Sequence, residues 1–300
     1  MTAAAPAIPA TAPATARGDR RSRLLTGVLL LPASFWYLFL LVVPLALVVV
    51  YSFGERGTLG GYTPAFTLEH YRVVFDRPAP FLTSLWMSIA GTILCMVAAF
   101  PLAYFIATRA GRRKSLLIIM LVIPFWTSFL IRTIAWLTIL GTRGISGFLS
   151  DLTGQNIQLL GTPFAILLGI VYNYLPLMVF PLYVTLERLD RSLLEASKDL
   201  GAARWATFRQ VTLPIIWPGV ITGSILVFIP LMGEFVIPAI LGQGKVFLIG
   251  NVLQLDFLAS RNWPAGSAKA VVLIAIMLVS VSFYLWATNR GRRTRDVSVL

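Results

Sequence analysis

One cysteine, one histidine and few charges mark this 300-residue chain first by what it cannot do. Cys95 stands alone inside an apolar run, so no disulfide framework can form. His70 has no Cys or His cluster beside it, which excludes a metal site of the usual spacing. Paired acid and base groups of the kind an enzyme needs within a cavity are also lacking. No G-x-x-x-x-G-K-[ST] phosphate loop occurs. If ATP drives this protein, another subunit must bind it. Charged residues make up only 12%, against an ordinary share of about 25%.

What is present is apolar surface. Hydrophobic residues make up 57% and the mean hydropathy is +0.81, more than a soluble domain of this size needs and as a polytopic membrane protein requires. The net charge of +13 does not point to nucleic acid. Its Lys and Arg residues cluster at the ends of apolar segments, without interleaved aromatics.

Residues 1–16 are almost wholly Ala, Pro and Thr, and Arg17, Arg20, Arg21 and Arg23 follow. The composition of 1–23 reads as a disordered basic tail. The uncharged stretch 24–54 is too long for the core of a signal peptide (~7–15 residues) and reads as an uncleaved first span. Stretches near the ~20 apolar residues a helix needs to cross a bilayer give six spans. They fall at about 26–51, 82–108, 115–139, 162–186, 214–241 and 267–288, within a membrane domain of 24–289. A loop at 187–213 separates the fourth from the fifth, and 290–300 is a second basic tail. Arg132, near the end of an apolar run, is accommodated by reaching to the interface.

Counting Lys and Arg on alternate segments gives 17 on the side of the termini and of 187–213, against 8 on the other. The basic side is cytoplasmic. Both termini and the 187–213 loop are therefore expected inside the cell. In the first outer loop Leu68, Tyr71, Val74 and Phe75 fall at helical spacing and predict a short interfacial helix. Pro44, Pro101, Pro124, Pro176, Pro181, Pro218, Pro230 and Pro238 fall inside the spans, as membrane helices allow where neighbours take up the freed carbonyls.

The cytoplasmic loop carries the most specific pattern. Leu193, Leu194, Ala196 and Ser197 give a short helix with a small apolar side, and Gly201 permits a tight turn. Helix can resume over 202–210, and Pro214 suits the first turn of the next span. Taken alone, the segment also reads as an amphipathic connector on the lipid surface, for which Arg204, Trp205 and Phe208 are suited. Glu195-Ala196-Ser197, then Gly201, then Val211-Thr212-Leu213-Pro214 resembles the coupling loop of ABC-importer membrane subunits. That family's pattern is Glu-Ala-Ala, three residues, Gly, nine residues, Ile-x-Leu-Pro. The spacing is intact here, with Ser197 and Val211 as the two replacements.

The resemblance implies an all-α, six-span permease of the type I ABC importer fold in a bacterial inner membrane. It implies Glu195, Ala196, Ser197, Gly201, Leu213 and Pro214 as the contact with an ATPase, Glu195 orienting the loop and Gly201 making the turn. The implied partners are a second, homologous permease, two cytoplasmic ATPase subunits holding ATP and Mg, and a periplasmic solute-binding protein. Membrane lipid surrounds the chain, and no cofactor is expected in the chain itself.

Further segments narrow the solute. PFWTSFLIRTIAWLTIL (124–140), VYNYLPLMVFPLY (171–183), GEFVIPAILGQG (233–244) and RNWPAGSA (261–268) resemble permeases of spermidine/putrescine importers. Similarity to that branch covers most of 24–290. Ala239 departs from it, because the residue after Pro238 is often acidic in those relatives. Glu234 is the only carboxylate within a span, where a charge costs about 2.5–3.5 kcal/mol. It reads as a counter-charge for an ammonium group or as a structural hydrogen bond or ion pair, for instance with Arg132. Trp126, Tyr172 and Tyr174 could offer faces to a cation or simply pack. A self-contained secondary transporter is the remaining alternative, disfavoured by the single membrane carboxylate and by the lack of a visible repeat.

Overall fold

Where lipid offers no hydrogen-bond partner, an apolar run must satisfy its own backbone, and it does so as helix. The structure, a computed structural model, describes residues 17–296, so the expectations for 1–16 and 297–300 lie outside the described residues. The first helix, α1 (Arg17–Tyr51), passes through Pro32 and Pro44 as one element. The disordered tail expected at 1–23 is corrected for 17–23, which form the opening turns of α1. Arg is a good helix former and no proline stands between Arg17 and the apolar run, so nothing stops the helix there. Of the described residues, those to Val50 form one compact unit and those from Tyr51 another.

The second unit begins with a two-stranded hairpin, β1 (Glu55–Arg56) antiparallel to β2 (Tyr62–Thr63), with Glu55 opposite Thr63. Next comes α2 (Glu69–Asp76), the short helix expected in this loop, with Val74 buried and the Tyr71 hydroxyl donating to Ser52 Oγ at 2.7 Å. α3 (Ala79–Thr108) is the second long apolar helix.

The third expected span, 115–139, is not one straight helix. A 3-10 turn (Gly111–Arg113), α4 (Lys114–Val122) and a second 3-10 turn (Ile123–Trp126) lead to a 90° bend. Beyond it run α5 (Phe129–Leu140) and α6 (Ile145–Thr153). Pro124 lacks an N–H and cannot extend the ladder. Thr127 is extended, and both its N–H and its hydroxyl turn back to the Pro124 carbonyl, at 3.2 and 2.6 Å.

α7 (Pro163–Glu187) starts on a threonine cap, Thr162, whose hydroxyl accepts from Ala165 N at 3.3 Å, with Pro163 at the first helical position. α8 (Arg191–Asp199), α9 (Arg204–Thr207) and a π-helical turn (Phe208–Thr212) lead into α10 (Leu213–Met232). The expected 214–241 span is interrupted at 233–235 and resumes as α11 (Val236–Leu241). α12 (Ile249–Gln254), a second π turn (Leu255–Ala259) and α13 (Trp263–Asp296) complete the chain. Residues 290–296, the described part of the second basic tail, continue α13. Among the described residues five helices are long and apolar enough to cross a membrane, or six with the bent pair.

The core lies between α3, α7 and α10, with Cys95, Ala99, Ala103, Ile166, Met178, Leu182, Ile216 and Leu231 buried. Gly219 and Gly223 set the approach of α10 to α7. A β-carbon on Gly219 would stand 2.3 Å from Thr185 Oγ1 and 2.6 Å from Pro181 O, and one on Gly223 2.7 Å from Met178 Sδ. Four residues apart, they form the small-residue face by which membrane helices meet backbone to backbone.

Candidate functional site

The 187–213 segment folds as a helical knob between α7 and α10. Asp190 caps α8 by accepting from Ser192 N at 2.9 Å, and that bond holds its carboxyl below the usual aspartate range. α8 ends on Gly201, whose φ of +75° is open to glycine at little cost. Gly201 N–H reaches Lys198 O at 2.8 Å and Ala202 N–H reaches Ser197 O at 3.1 Å. These are the two bonds of a Schellman stop, which satisfies the last carbonyls and reverses the chain. The Ser197 and Thr207 hydroxyls meet at 2.9 Å and pin the two arms together. Glu195 and Ala196 are exposed, Leu193 is half-exposed, and Leu200 and Trp205 stand out at 88% and 70% exposure. The knob therefore presents apolar side chains on a backbone whose shape is already fixed.

Leu213 and Pro214 sit deeper in helix than their spacing implies. Pro214 stands in the first turn of α10, as expected, but helix is already running there, continuous from Arg204 to Met232. The π turn just before it explains the tolerance: Leu213 N–H bonds to Phe208 O, five residues back, and the widened turn leaves room for the proline ring. Phe208 also packs edge-on against Phe100 of α3 at 5.3 Å and stacks on Trp205 at 5.4 Å.

A second polar centre is built where the fifth span breaks. Glu234 is 6% exposed. Its Oε1 accepts from Val236 N at 2.8 Å and Ile237 N at 3.1 Å, and its Oε2 accepts from the Tyr174 hydroxyl at 2.5 Å. Phe235 O, next in the chain, accepts from Asn251 Nδ2 at 2.8 Å, and Asn251 Oδ1 takes Leu248 N at 3.2 Å. Ile249 N donates to Ser84 Oγ of α3 at 2.7 Å. A side chain on Gly250 would stand 2.6 Å from Gly233 O, so glycine lets α12 reach the break. Beside it lies a recess of about 220 Å³ lined by Pro238, Ala239, Phe247, Asn251 and Gln254 among others.

The four expected path residues separate. Tyr174 joins Glu234. Tyr172, two residues away, points to a different side of α7, where its ring meets Trp136 edge-on at 5.5 Å. Trp126 ends the 3-10 turn before the 90° bend and is 84% exposed. Of the two structural roles open to Glu234, the hydrogen bond is the one found. The Arg132 guanidinium lies instead over the Phe125 ring, 4.7 Å from its centre. Asn251 and Ser84 have no counterpart in the sequence reading, and the signal for Asn251 was an amide inside the apolar run 246–253.

Comparison with known proteins agrees with this architecture. The family described as binding-protein-dependent transport system inner membrane component matches residues 99–296. A spermidine/putrescine transport system permease protein, PotB of Haemophilus influenzae, is 38% identical over 259 residues, 85% of this chain and 91% of that one. PotB of Escherichia coli is 37% identical over 261 residues, 85% and 94% of the two chains. Among solved structures, a chain of a bacterial ABC transporter that imports the acidic polysaccharide alginate superposes with a TM-score of 0.65 at 18% identity, covering 91% of this chain and 98% of that one.

Proposed function

This chain belongs to the inner-membrane components of binding-protein-dependent transport systems, and from that premise we propose that it is a permease subunit carrying a polyamine, putrescine or spermidine, into the cell. It would do so with a second, homologous permease, two cytoplasmic ATPase subunits that hold ATP and Mg, and a periplasmic solute-binding protein. Hydrolysis belongs to the ATPases, and this chain transmits it. In this reading the termini and the 187–213 knob face the cytoplasm, as the Lys and Arg asymmetry supports.

The observation that carries the coupling role is the knob itself, a Schellman-stopped helix offering Leu193, Leu200 and Trp205 to a partner. Glu195, Ala196, Ser197 and Gly201 form its contact edge and turn, and Leu213 and Pro214 lie beyond the π turn that joins it to α10. The polyamine assignment draws on the PotB relatives. A second reading, another small organic solute, is favoured by Ala239, which leaves no carboxylate among the residues lining the recess.

The test reconstitutes the full assembly in liposomes and measures ATP-dependent uptake of labelled putrescine and spermidine. Leu200→Cys supplies a crosslinking site, since the only native cysteine, Cys95, is buried. Uptake together with a crosslink to the ATPase is expected. Transport by the chain alone on an ion gradient, or a knob that never crosslinks to the ATPase, overturns the proposal. Uptake of neither amine by an otherwise active assembly moves the solute to the second reading.

A further inference from the structure

Building on that transport reading, we infer that Glu234 is a positioning residue: its carboxylate joins the two halves of the broken fifth span to α7, and it is not the counter-charge for a cationic solute. The argument is a count of donors. A helix start leaves backbone N–H groups without partners inside the helix. In α11 these belong to Val236 and Ile237, because Pro238 has no N–H and Ala239 N donates to Phe235 O at 3.0 Å. One oxygen of Glu234 takes both, and the other takes the Tyr174 hydroxyl. Three of the roughly four acceptor positions of a carboxylate are thereby filled.

The group is also shut away, since Glu234 and Tyr174 are both under a tenth exposed. At most one acceptor position is left for an ammonium group, on a carboxylate whose other positions hold the backbone of α11 and the Tyr174 hydroxyl. What the contacts hold is the start of α11, which brings Pro238 and Ala239 to the wall of the recess. Asn251 secures the same turn from the other side through Phe235 O.

A neutral isostere separates the two roles. In Glu234→Gln the amide oxygen can accept the same two N–H groups, while the amide N–H donates to the phenol oxygen, so all three contacts survive without charge. Glu234→Ala loses all three. The experiment compares both variants with wild type in the reconstituted assembly, reading KM and maximal uptake for putrescine and spermidine and the thermal stability of the purified complex. With all contacts kept, Glu234→Gln is expected within about threefold of wild-type uptake for both amines, with KM and melting temperature unchanged. Glu234→Ala is expected to lose about tenfold or more in maximal uptake and to melt lower, because buried N–H groups are left without partners.

The inference is overturned if Glu234→Gln fails as badly as Glu234→Ala. It is also overturned if KM rises more for trivalent spermidine than for divalent putrescine, as loss of a counter-charge requires. Wild-type assemblies that take up neither amine strike the solute assignment alone. Melting temperature then decides: wild-type-like for Gln and lowered for Ala supports positioning, and no difference between them refutes it.

Discussion

Substitution of Gly201 isolates the backbone from everything else in the knob. The residue has φ +75°, and a β-carbon there would meet nothing within 4 Å. The whole cost of a side chain is therefore conformational. The left-handed region costs an L-residue about 1–2 kcal/mol, less for Asn and Asp, whose short polar side chains bond locally. A β-branched residue fares worst. A penalty of that size reduces the correctly turned population roughly 5–30-fold. Coupling should thus fall in the order Gly, Asn, Ala, Val. The pair Asn and Asp, close in shape, isolates the effect of a charge on the contact surface. The assay is solute-stimulated ATP hydrolysis in liposomes, with the amount of ATPase retained by the purified permease measured alongside. Membrane insertion should be unchanged throughout, including for Gly201→Asp, because the knob lies outside the spans. Full coupling in Gly201→Val, or losses that follow side-chain size with Asn as damaging as Val, would refute the conformational argument.

Gly219→Ala should place a methyl group 2.3 Å from Thr185 Oγ1 and cost about 1–3 kcal/mol in overpacking, seen as a lower melting temperature of the solubilised chain. Ser197→Ala removes the partner of the buried Thr207 hydroxyl and should cost about 1 kcal/mol, read as faster hydrogen exchange across 197–207 with transport retained. Asp190 has its carboxyl lowered by the Ser192 bond, so its contribution to the knob is complete above the ordinary aspartate range. As pH falls through the lowered value that contribution disappears, and exchange over 192–200 should accelerate there in wild type but show no such step in Asp190→Ala.

The apolar runs were legible because a membrane leaves the backbone little choice but helix. The α2 helix was legible because Leu68, Tyr71, Val74 and Phe75 repeat at helical spacing, and the Gly201 turn because glycine alone takes that conformation freely. The angle at Thr127–Ser128 was not. Pro124 marks a weakness in the ladder, but how far the chain turns there depends on what α5 packs against, which is α7 and α11. The break at 233–235 was hidden because Glu234 looks like an isolated charge in an apolar run, and its partners are 60 residues away at Tyr174 or in the following turn. Tyr172 and Tyr174 were indistinguishable as aromatics, and only the helix phase set by packing separates them. Asn251 escaped notice because its apolar segment is too short to count as a span. The π turn that joins α9 to α10 ahead of Pro214 was not legible, because no local residue announces it.

The unbroken helix from Arg204 to Met232 has a mechanical consequence. Its 29 residues make a rod about 43 Å long, with the knob at one end and the Glu234 turn just past the other. Its tightest seam with α7, at Gly219 and Gly223, falls near mid-length and so acts as a fulcrum. A tilt of about 6° around that point swings each tip by roughly 2 Å in opposite directions. On the coupling reading, a nudge at the knob end would thus arrive, reversed in sense, at the Glu234 turn.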